Sequence, residues 1–247
     1  MFSGKIEDYI LFEDKEIIVC RKPAGIAVQN ARIGAMDLES SLKNYLAMQD
    51  GGGRRIPYLA VIHRLDQPVE GILVFGKTPE AAKSLSAQIT AGKMEKIYLA
   101  VTYGKQAEAG KKEKVLEDYL KKDGKSNTSS VVNAHTPGAK KARLSYEVLG
   151  EAVDAISGKK KWLLRIHLDT GRHHQIRVQM AHAGMPLAGD RKYGAGTNVT
   201  IGAGSLALCA ASLTFFHPVT GKMMKFVTKP EGAEFKGISI PQMCKKT

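Results

Sequence analysis

Two polar stretches, far apart in the chain, carry the residue types that could do chemistry. The first is His63-Arg64-Leu65-Asp66, which lies between the apolar runs 58–62 and 72–75. A carboxylate held where two buried strands meet costs free energy unless it is paired or hydrogen-bonded, so Asp66 has a cationic partner, a chemical role, or both. The alternative is an Asp66–Arg64 turn that only stiffens the junction, which is the commoner meaning of an isolated Arg-x-Asp.

The second stretch, residues 169–184, offers cations and imidazoles. Arg172 and Arg177 lie within it, and the apolar residues that follow at helical spacing predict that Arg177 lies in the first turns of a helix. A pair between Asp66 and an arginine of this stretch would keep the carboxylate ionised, as a nucleophile or a base requires. The nearby cations would suit a phosphodiester backbone, and they are Lys22, Arg54, Arg64 and Arg172.

A metal site or a serine hydrolase has less support. Candidate metal ligands exist, namely His63, Asp66, His173, His174 and His182. They lack an HExxH or other compact ligand spacing, and adjacent histidines on a helix point in different directions. The chain also has no GxSxG motif. We therefore expect no metal.

The elements that position these stretches are mostly strands. Residues 9–20 predict a hairpin that leads into Lys22-Pro23-Ala24-Gly25, and Asp37 and Thr78 are placed to cap helices. Further strand signals occur at 95–103, 144–149, 162–168, 206–216 and 223–227. Residues 104–141 are rich in Lys, Gly, Ser and Thr, which indicates an irregular, basic surface insertion with short strands.

Length and charge narrow the class of protein. The 247 residues can bury a sizeable core, so we expect a single domain over 1–247. Lys and Arg number 37 against 24 Asp and Glu, and the net charge of +13 favours a polyanion such as RNA, DNA or an anionic membrane surface. The three scattered cysteines fit a reducing cytosol. Residues 1–8 do not resemble a signal peptide and no apolar run could span a bilayer, so we expect a cytoplasmic protein with no membrane partner.

Four motifs in the same order resemble those of the RluA-type pseudouridine synthases. They are His63-Arg64-Leu65-Asp66 with Gly71, then Lys96-x-Tyr98, then Thr170-Gly171-Arg172-x-His174-Gln175-Ile176-Arg177, then Gly189-Asp190-x-x-Tyr193-Gly194. Lys22-Pro23-Ala24-Gly25 is similar to the first motif of that family. The resemblance covers residues 10–230 and implies a mixed α/β (α+β) catalytic domain, with a long, bent antiparallel sheet in two halves, flanking helices and a central cleft.

The resemblance also implies the reaction and its residues. A uridine in RNA is isomerised to pseudouridine without a cofactor or metal. Asp66 matches the catalytic aspartate, Tyr98 the tyrosine that packs on the target base, and Arg177 the basic residue paired with the aspartate. The other residues expected to contact substrate or RNA are Lys22, Arg54, His63, Arg64, Leu168, Arg172 and His174.

The chain departs from the family pattern in two places. Glu70 puts a second carboxylate before Gly71, where many relatives have a small or hydroxyl residue. The residues before His63 leave no room for the S4-like N-terminal RNA-binding domain of some relatives, so target recognition would fall to the catalytic domain and the 104–141 insertion.

We therefore expect a cytoplasmic, monomeric RNA pseudouridine synthase that acts on ribosomal or transfer RNA. A catalytically inactive RNA-binding or ribosome-assembly protein on the same scaffold is the first alternative, although it would have no need of Asp66, Tyr98 and Arg177 together. A metal-dependent RNA hydrolase that uses the histidines is the second.

Overall fold

The computed structural model describes residues 3–30, 36–51, 56–103, 113–154, 158–194 and 205–241. In these residues the strands are Ile10–Glu13 (β1), Ile17–Lys22 (β2), Ala60–Val61 (β3), Glu70–Gly76 (β4), Glu95–Thr102 (β5), Lys114–Asp123 (β6), Thr128–Val132 (β7), Lys140–Val153 (β8), Lys160–Leu168 (β9), Leu208–Phe216 (β10) and Met223–Val227 (β11). The α-helices of the same residues are Leu38–Gln49 (α1), Pro79–Thr90 (α2) and Gln175–His182 (α3).

The chain divides into two compact units, and each is assembled from two separate stretches. Unit 1 comprises Met1–Glu95 and Ala210–Thr228, whereas unit 2 comprises Lys96–Cys209 and Lys229–Thr247. The expectation of a single catalytic domain over 1–247 stays a prediction.

Unit 1 is a sheet with two helices. Its strands lie in the order β1, β2, β4, β10, with β3 beside β4 and β11 beside β10. Both helices begin where the sequence predicts. Asp37 Oδ1 accepts a hydrogen bond from the Ser40 amide at 2.7 Å, and Thr78 Oγ1 accepts one from the Ala81 amide at 3.2 Å. The apolar face of α2 is part of a core cluster made of Ile17, Val19, Ile72, Val74, Ala81, Leu85, Met94, Leu213 and Phe215.

Strand β4 fixes the end of the Asp66 loop. All seven of its residues are buried, and it lies between β2 and β10. Gly71 has a φ of +130°, and a Cβ there would lie 2.5 Å from both the amide nitrogen and the carbonyl oxygen of Ala210. Only glycine fits a strand that approaches its neighbour this closely with that backbone conformation.

Unit 2 is also a sheet, with the strand order β5, β9, β8, β6, β7. The pairings of β9 with β5 and β8, and of β6 with β8 and β7, are antiparallel. Helix α3 packs against β6 and β7, where Val178 joins Leu120 and Ala142 in a small core cluster. The sequence prediction of a helix that carries Arg177 in its first turns is confirmed.

Residues 113–141 are more regular than their composition indicates. They contain a hairpin of β6 and β7 closed by the turn 124–127, and β6 pairs along its length with β8. The inward alternation of β6 includes a charged residue, Asp118, whose carboxylate accepts a hydrogen bond from Gln179 Nε2 at 2.7 Å. This interruption of the apolar pattern, together with exposed lysines, hides the strand in the sequence.

The prediction of a mixed α and β fold is confirmed. Strands dominate both units, and the helices are short. In the described parts of the chain, we find no helix with the length and apolar character needed to cross a membrane.

Candidate active-site residues

Asp66 lies on a tight turn between β3 and β4 in unit 1. The turn is closed by a hydrogen bond from the Val69 amide to the Asp66 carbonyl at 3.0 Å. Leu65 and Val69 are buried, whereas Asp66 itself is half-buried. Apolar anchors on both sides therefore hold the backbone of the turn, while Asp66 stays partly exposed.

Lys22, the last residue of β2, joins this turn to residues 23–26. Its side chain is fully buried, and Nζ donates to the carbonyls of Ile26 at 2.7 Å, Pro23 at 3.0 Å and Gln67 at 3.1 Å. Gln67 adds two bonds to Gly25, because its carbonyl accepts from the Gly25 amide at 2.8 Å and its Nε2 donates to the Gly25 carbonyl at 3.0 Å. The ammonium group of Lys22 thus binds the protein itself and holds the Asp66 turn, and its contact with RNA stays a prediction.

Burial and the neighbouring negative charges shift the pKa of Lys22 in opposite directions. Burial lowers the pKa of Lys22 to about 7, while the negative charges of Asp66 and Glu70 act in the opposite direction. Glu70 is itself buried at the start of β4. The two carboxylates and the ammonium group therefore form one small electrostatic cluster, and the unusual Glu70 is part of it.

The other residues predicted near Asp66 have different environments. His63 is half-buried, and its Nε2 accepts a hydrogen bond of 3.4 Å from the Val74 amide of β4. Arg64 is exposed, as a residue that contacts RNA would be. Arg54 lies outside the described residues.

Arg177 forms a bidentate ion pair with Asp190 in unit 2. Arg177 Nε donates to Asp190 Oδ2, and a terminal guanidinium nitrogen donates to Oδ1, both at 2.8 Å. The side chains are 5% and 0% exposed, so the pair is shielded from water. The predicted pairing of Arg177 with Asp66 stays a prediction.

Asp190 is ionised because its hydrogen-bond partners lower its pKa by more than burial raises it. Burial raises the pKa of Asp190, but the hydrogen bonds and charge of Arg177, with the amides of Lys192 and Tyr193, hold it below its ordinary value of 3.8. Those amides donate to Oδ1 at 2.9 and 3.2 Å. The Arg177 guanidinium carbon also lies 5.1 Å from the centre of the Tyr193 ring, within cation–π range.

Tyr98 and Leu168 lie on neighbouring strands of unit 2. Tyr98 on β5 is opposite Ile166 of β9, and Leu168 ends β9. Both side chains are buried, with 6% and 8% of their surface exposed. They stay candidates for the residues that hold a base.

Arg172 and His174 precede α3. Arg172 is exposed, and its Nε donates to the Lys141 carbonyl at 2.8 Å. His174 is buried and has a positive φ of 53°, a backbone conformation that is uncommon for residues other than glycine. Its Nδ1 lies 2.7 Å from the Tyr193 hydroxyl oxygen, so His174 is tied to the protein itself.

Asp190 and Tyr193 are the functional candidates that the sequence analysis did not single out. The signal was available, since both lie in the motif Gly189-Asp190-x-x-Tyr193-Gly194. In the part of the chain that the structure describes, no three His, Cys, Asp or Glu side chains cluster as a metal site would require.

Comparison with known proteins gives consistent matches. A family model described as RNA pseudouridylate synthase matches residues 16–182. The ribosomal large subunit pseudouridine synthase D of Xylella fastidiosa is 32% identical over 236 residues, which cover 88% of this chain and 64% of that protein. The protein of the same name from Pseudomonas aeruginosa is 33% identical over 233 residues, covering 90% of this chain and 68% of that one. The chain thus spans about two thirds of the length of these relatives.

Solved structures show the same fold. Human RNA pseudouridylate synthase domain containing 4 superposes with a TM-score of 0.73 at 21% identity, covering 92% of this chain and 90% of that one. Human RNA pseudouridylate synthase domain containing 1 gives a TM-score of 0.70 at 19% identity, with coverages of 93% and 86%. Since the family model matches most of the chain, and with it the Asp66 turn and the Arg177 helix, the chain belongs to the RNA pseudouridylate synthase family.

Proposed function

We propose that this protein isomerises uridine in RNA to pseudouridine, with Asp66 as the catalytic carboxylate. The observation that carries the proposal is the Asp66 turn within a chain of this family. Asp66 is half-buried, and the backbone of its turn is held by Lys22 Nζ through the Gln67 carbonyl at 3.1 Å. A carboxylate on a fixed, partly exposed turn suits attack on a ribose carbon or removal of a ribose proton.

The reaction needs one carboxylate, and it leaves the atomic composition of the RNA unchanged. The bond between ribose C1′ and uracil N1 breaks, the uracil turns, and a bond forms between C1′ and C5. The hydrogen on C5 is lost and N1 gains a proton, so atoms and charge balance. Asp66 acts at the ribose during this sequence.

Tyr98 and Arg177 supply the remaining roles. A uridine in folded RNA must leave its stack, which costs roughly a few kcal/mol, and an aromatic side chain holds the free base. We assign this contact to Tyr98 and place Leu168 in the wall of the same pocket. We assign to Arg177 the charge that keeps the catalytic carboxylate ionised, in addition to its pair with Asp190.

The proposed substrate is ribosomal RNA of the large subunit, modified in the cytoplasm by a monomer. The names of the curated relatives support this substrate, and the net charge of +13 supports a phosphate-rich partner. Exposed Arg64 and Arg172 are the cations that we assign to the RNA backbone. Transfer RNA is the competing substrate.

The test measures loss of the C5 hydrogen. Ribosomal and transfer RNA from cells lacking the gene are labelled with tritium at uridine C5, and each is incubated with wild type, Asp66→Asn and Asp50→Asn. We expect tritium release from ribosomal RNA with wild type and with the exposed control Asp50→Asn, and none with Asp66→Asn. Asp66→Asn should still bind the RNA, because the substitution removes a charge and preserves the shape of the side chain.

Three outcomes would contradict parts of the proposal. Release with Asp66→Asn at the wild-type rate would remove the aspartate from the mechanism, and Glu70→Gln would then be measured next because Glu70 shares the Lys22 cluster. Release from transfer RNA alone would change the substrate. Tight binding of ribosomal RNA without release by wild type would support the catalytically inactive RNA-binding alternative.

A further inference from the structure

Tyr193 lies between the β6–β7 hairpin and the Arg177–Asp190 pair in unit 2. On one side, the backbone amide of Ser129 in β7 donates to the Tyr193 hydroxyl oxygen at 2.8 Å. On the other, the Tyr193 ring lies 5.1 Å from the Arg177 guanidinium carbon, and its backbone amide donates to Asp190 Oδ1. One side chain therefore contacts both the hairpin and the buried arginine.

Two histidines strengthen the contact with the hairpin. The rings of His173 and His174 stack with their centres 3.8 Å apart. His174 Nδ1 lies 2.7 Å from the Tyr193 hydroxyl, and His173 Nδ1 lies 2.9 Å from Ser129 Oγ. The Tyr193 hydroxyl is thus fixed from two directions, by a strand amide and by an imidazole.

The turn of the hairpin is held as well. Asn127 has a φ of +50°, its side-chain oxygen lies 3.1 Å from His173 Nε2, and its carbonyl accepts a hydrogen bond from Lys192 Nζ at 2.9 Å. Lys192 and Tyr193 are neighbours whose backbone amides both bind Asp190. The hairpin turn and the carboxylate that pairs with Arg177 therefore share one short segment of chain.

We propose that Tyr193 is a positioning residue that couples the β6–β7 hairpin to Arg177, so that the hairpin sets the geometry of this arginine during the reaction. The kinetic part rests on the proposed function, whereas the coupling itself does not. Removing the hydroxyl leaves the buried Ser129 amide without this acceptor and frees the ring beneath the guanidinium group. The effect on the reaction is expected in kcat, because the hydroxyl is used inside the protein.

The experiment compares Tyr193→Phe with the matched control Tyr119→Phe. Tyr119 is a half-buried tyrosine of β6, and no hydrogen bond of its hydroxyl is present among the described residues. A third variant replaces residues 122–129 by Asn-Gly, which joins the paired residues Lys121 and Ser130 by a two-residue hairpin loop. Each variant is assayed for tritium release and, separately, for hydrogen exchange of the Arg177 Nε–H by NMR, with Arg177→Lys assigning the signal.

For Tyr193→Phe we expect kcat to fall about tenfold and KM to stay unchanged. A tenfold loss corresponds to roughly one hydrogen bond that no longer holds the transition-state geometry. Exchange of the Arg177 Nε–H should accelerate about tenfold or more, because local opening becomes easier. Tyr119→Phe should match wild type. Adding Tyr193→Phe to the shortened hairpin should lower kcat by less than it does in wild type, because the Ser129 amide is already absent and only the His174 contact of the hydroxyl remains to be lost.

Several results would overturn the proposal. An unchanged kcat in Tyr193→Phe, a rise in KM alone, or an equal loss in Tyr119→Phe would each show that Tyr193 does not position Arg177 for the reaction. Unchanged exchange of the Arg177 Nε–H in both Tyr193→Phe and the shortened hairpin would refute the coupling. If wild type released no tritium, the proposed function would fail, and the exchange measurement would still decide the coupling.

Discussion

Replacing Arg177 by methionine should strand the Asp190 carboxylate in the protein interior. Asp190 has no exposed side-chain surface, and two of its hydrogen bonds, both 2.8 Å long, come from Arg177. Removing one partner of a buried ion pair costs about 3–5 kcal/mol. Asp190 Oδ1 keeps the amides of Lys192 and Tyr193, so we expect the lower end, about 3 kcal/mol. At about 2–4 °C per kcal/mol for a chain of this size, the melting temperature should fall by roughly 6–12 °C.

The pH dependence of this loss gives a sharper test. In wild type the pKa of Asp190 lies below its ordinary value of 3.8, so its contribution to stability is present above that value and is lost as the pH falls through the lower, folded-state pKa. Without Arg177, burial raises the pKa of Asp190 instead. The penalty in Arg177→Met then applies above the raised pKa and is relieved as the pH falls through it. The stability difference between wild type and variant should therefore shrink on acidification from pH 7 towards pH 4.

Urea unfolding of four proteins measures the effect. These are wild type, Arg177→Met, Asp190→Asn and the double variant, each studied at several pH values. The double variant has no buried charge at position 190, so it should be more stable than Arg177→Met at pH 7. A loss below about 1 kcal/mol in Arg177→Met, well under the range for a broken buried pair, would refute the reasoning. A loss that stays constant with pH would refute it as well.

Two further predictions concern unit 1. Burial lowers the pKa of Lys22 from 10.5 to about 7. Between these pH values the unfolded chain binds one proton more than the folded chain. The free energy of unfolding should therefore rise with pH, by at most about 1.4 kcal/mol per pH unit. Urea unfolding at pH 7 and 9 should show this rise in wild type but not in Lys22→Met, and parallel pH profiles would contradict it. Gly71→Ala should cost roughly 3 kcal/mol or more, because its Cβ meets the Ala210 backbone at 2.5 Å and its φ is +130°. The control Gly92→Ala, at φ +67° with no atom within 4 Å of the new Cβ, should cost about 1 kcal/mol. Equal melting temperatures for Gly71→Ala and Gly92→Ala would show that the contact with Ala210 is unimportant.

The sequence predicted the local structure around the site well. Capping residues and apolar spacing predicted α1, α2 and the helix that carries Arg177, because these signals lie within a few residues of the element they specify. The turn that carries Asp66 was expected between two apolar strands, and it lies between β3 and β4.

The partners of the buried ions were harder to predict. Lys22 reads as a surface cation in a polar turn, yet its ammonium group is buried against three carbonyls that come from two segments of chain. Charge complementarity alone did not single out Asp190 for Arg177, since several carboxylates are available in the sequence and the choice depends on how the chain turns after α3. The hairpin of β6 and β7 was hidden because its inward face includes Asp118, whose acceptance of the Gln179 side chain is a tertiary contact.

The way unit 1 is assembled affects how the nascent chain can fold. Strand β4 lies between β2, which precedes it in the chain, and β10, which follows much later. Since β3 pairs only with Phe75 and Gly76, the rest of that edge of β4 stays open until residues 208–216 have been synthesised. Contacts such as that between Asp14 and His217, separated by 203 positions, also form only then. Such long-range pairing slows folding. A ribosome translating this chain therefore carries an unfinished sheet until β10 has emerged, with the strand that follows Asp66 at its open edge. A chaperone that binds strand edges would find its target there.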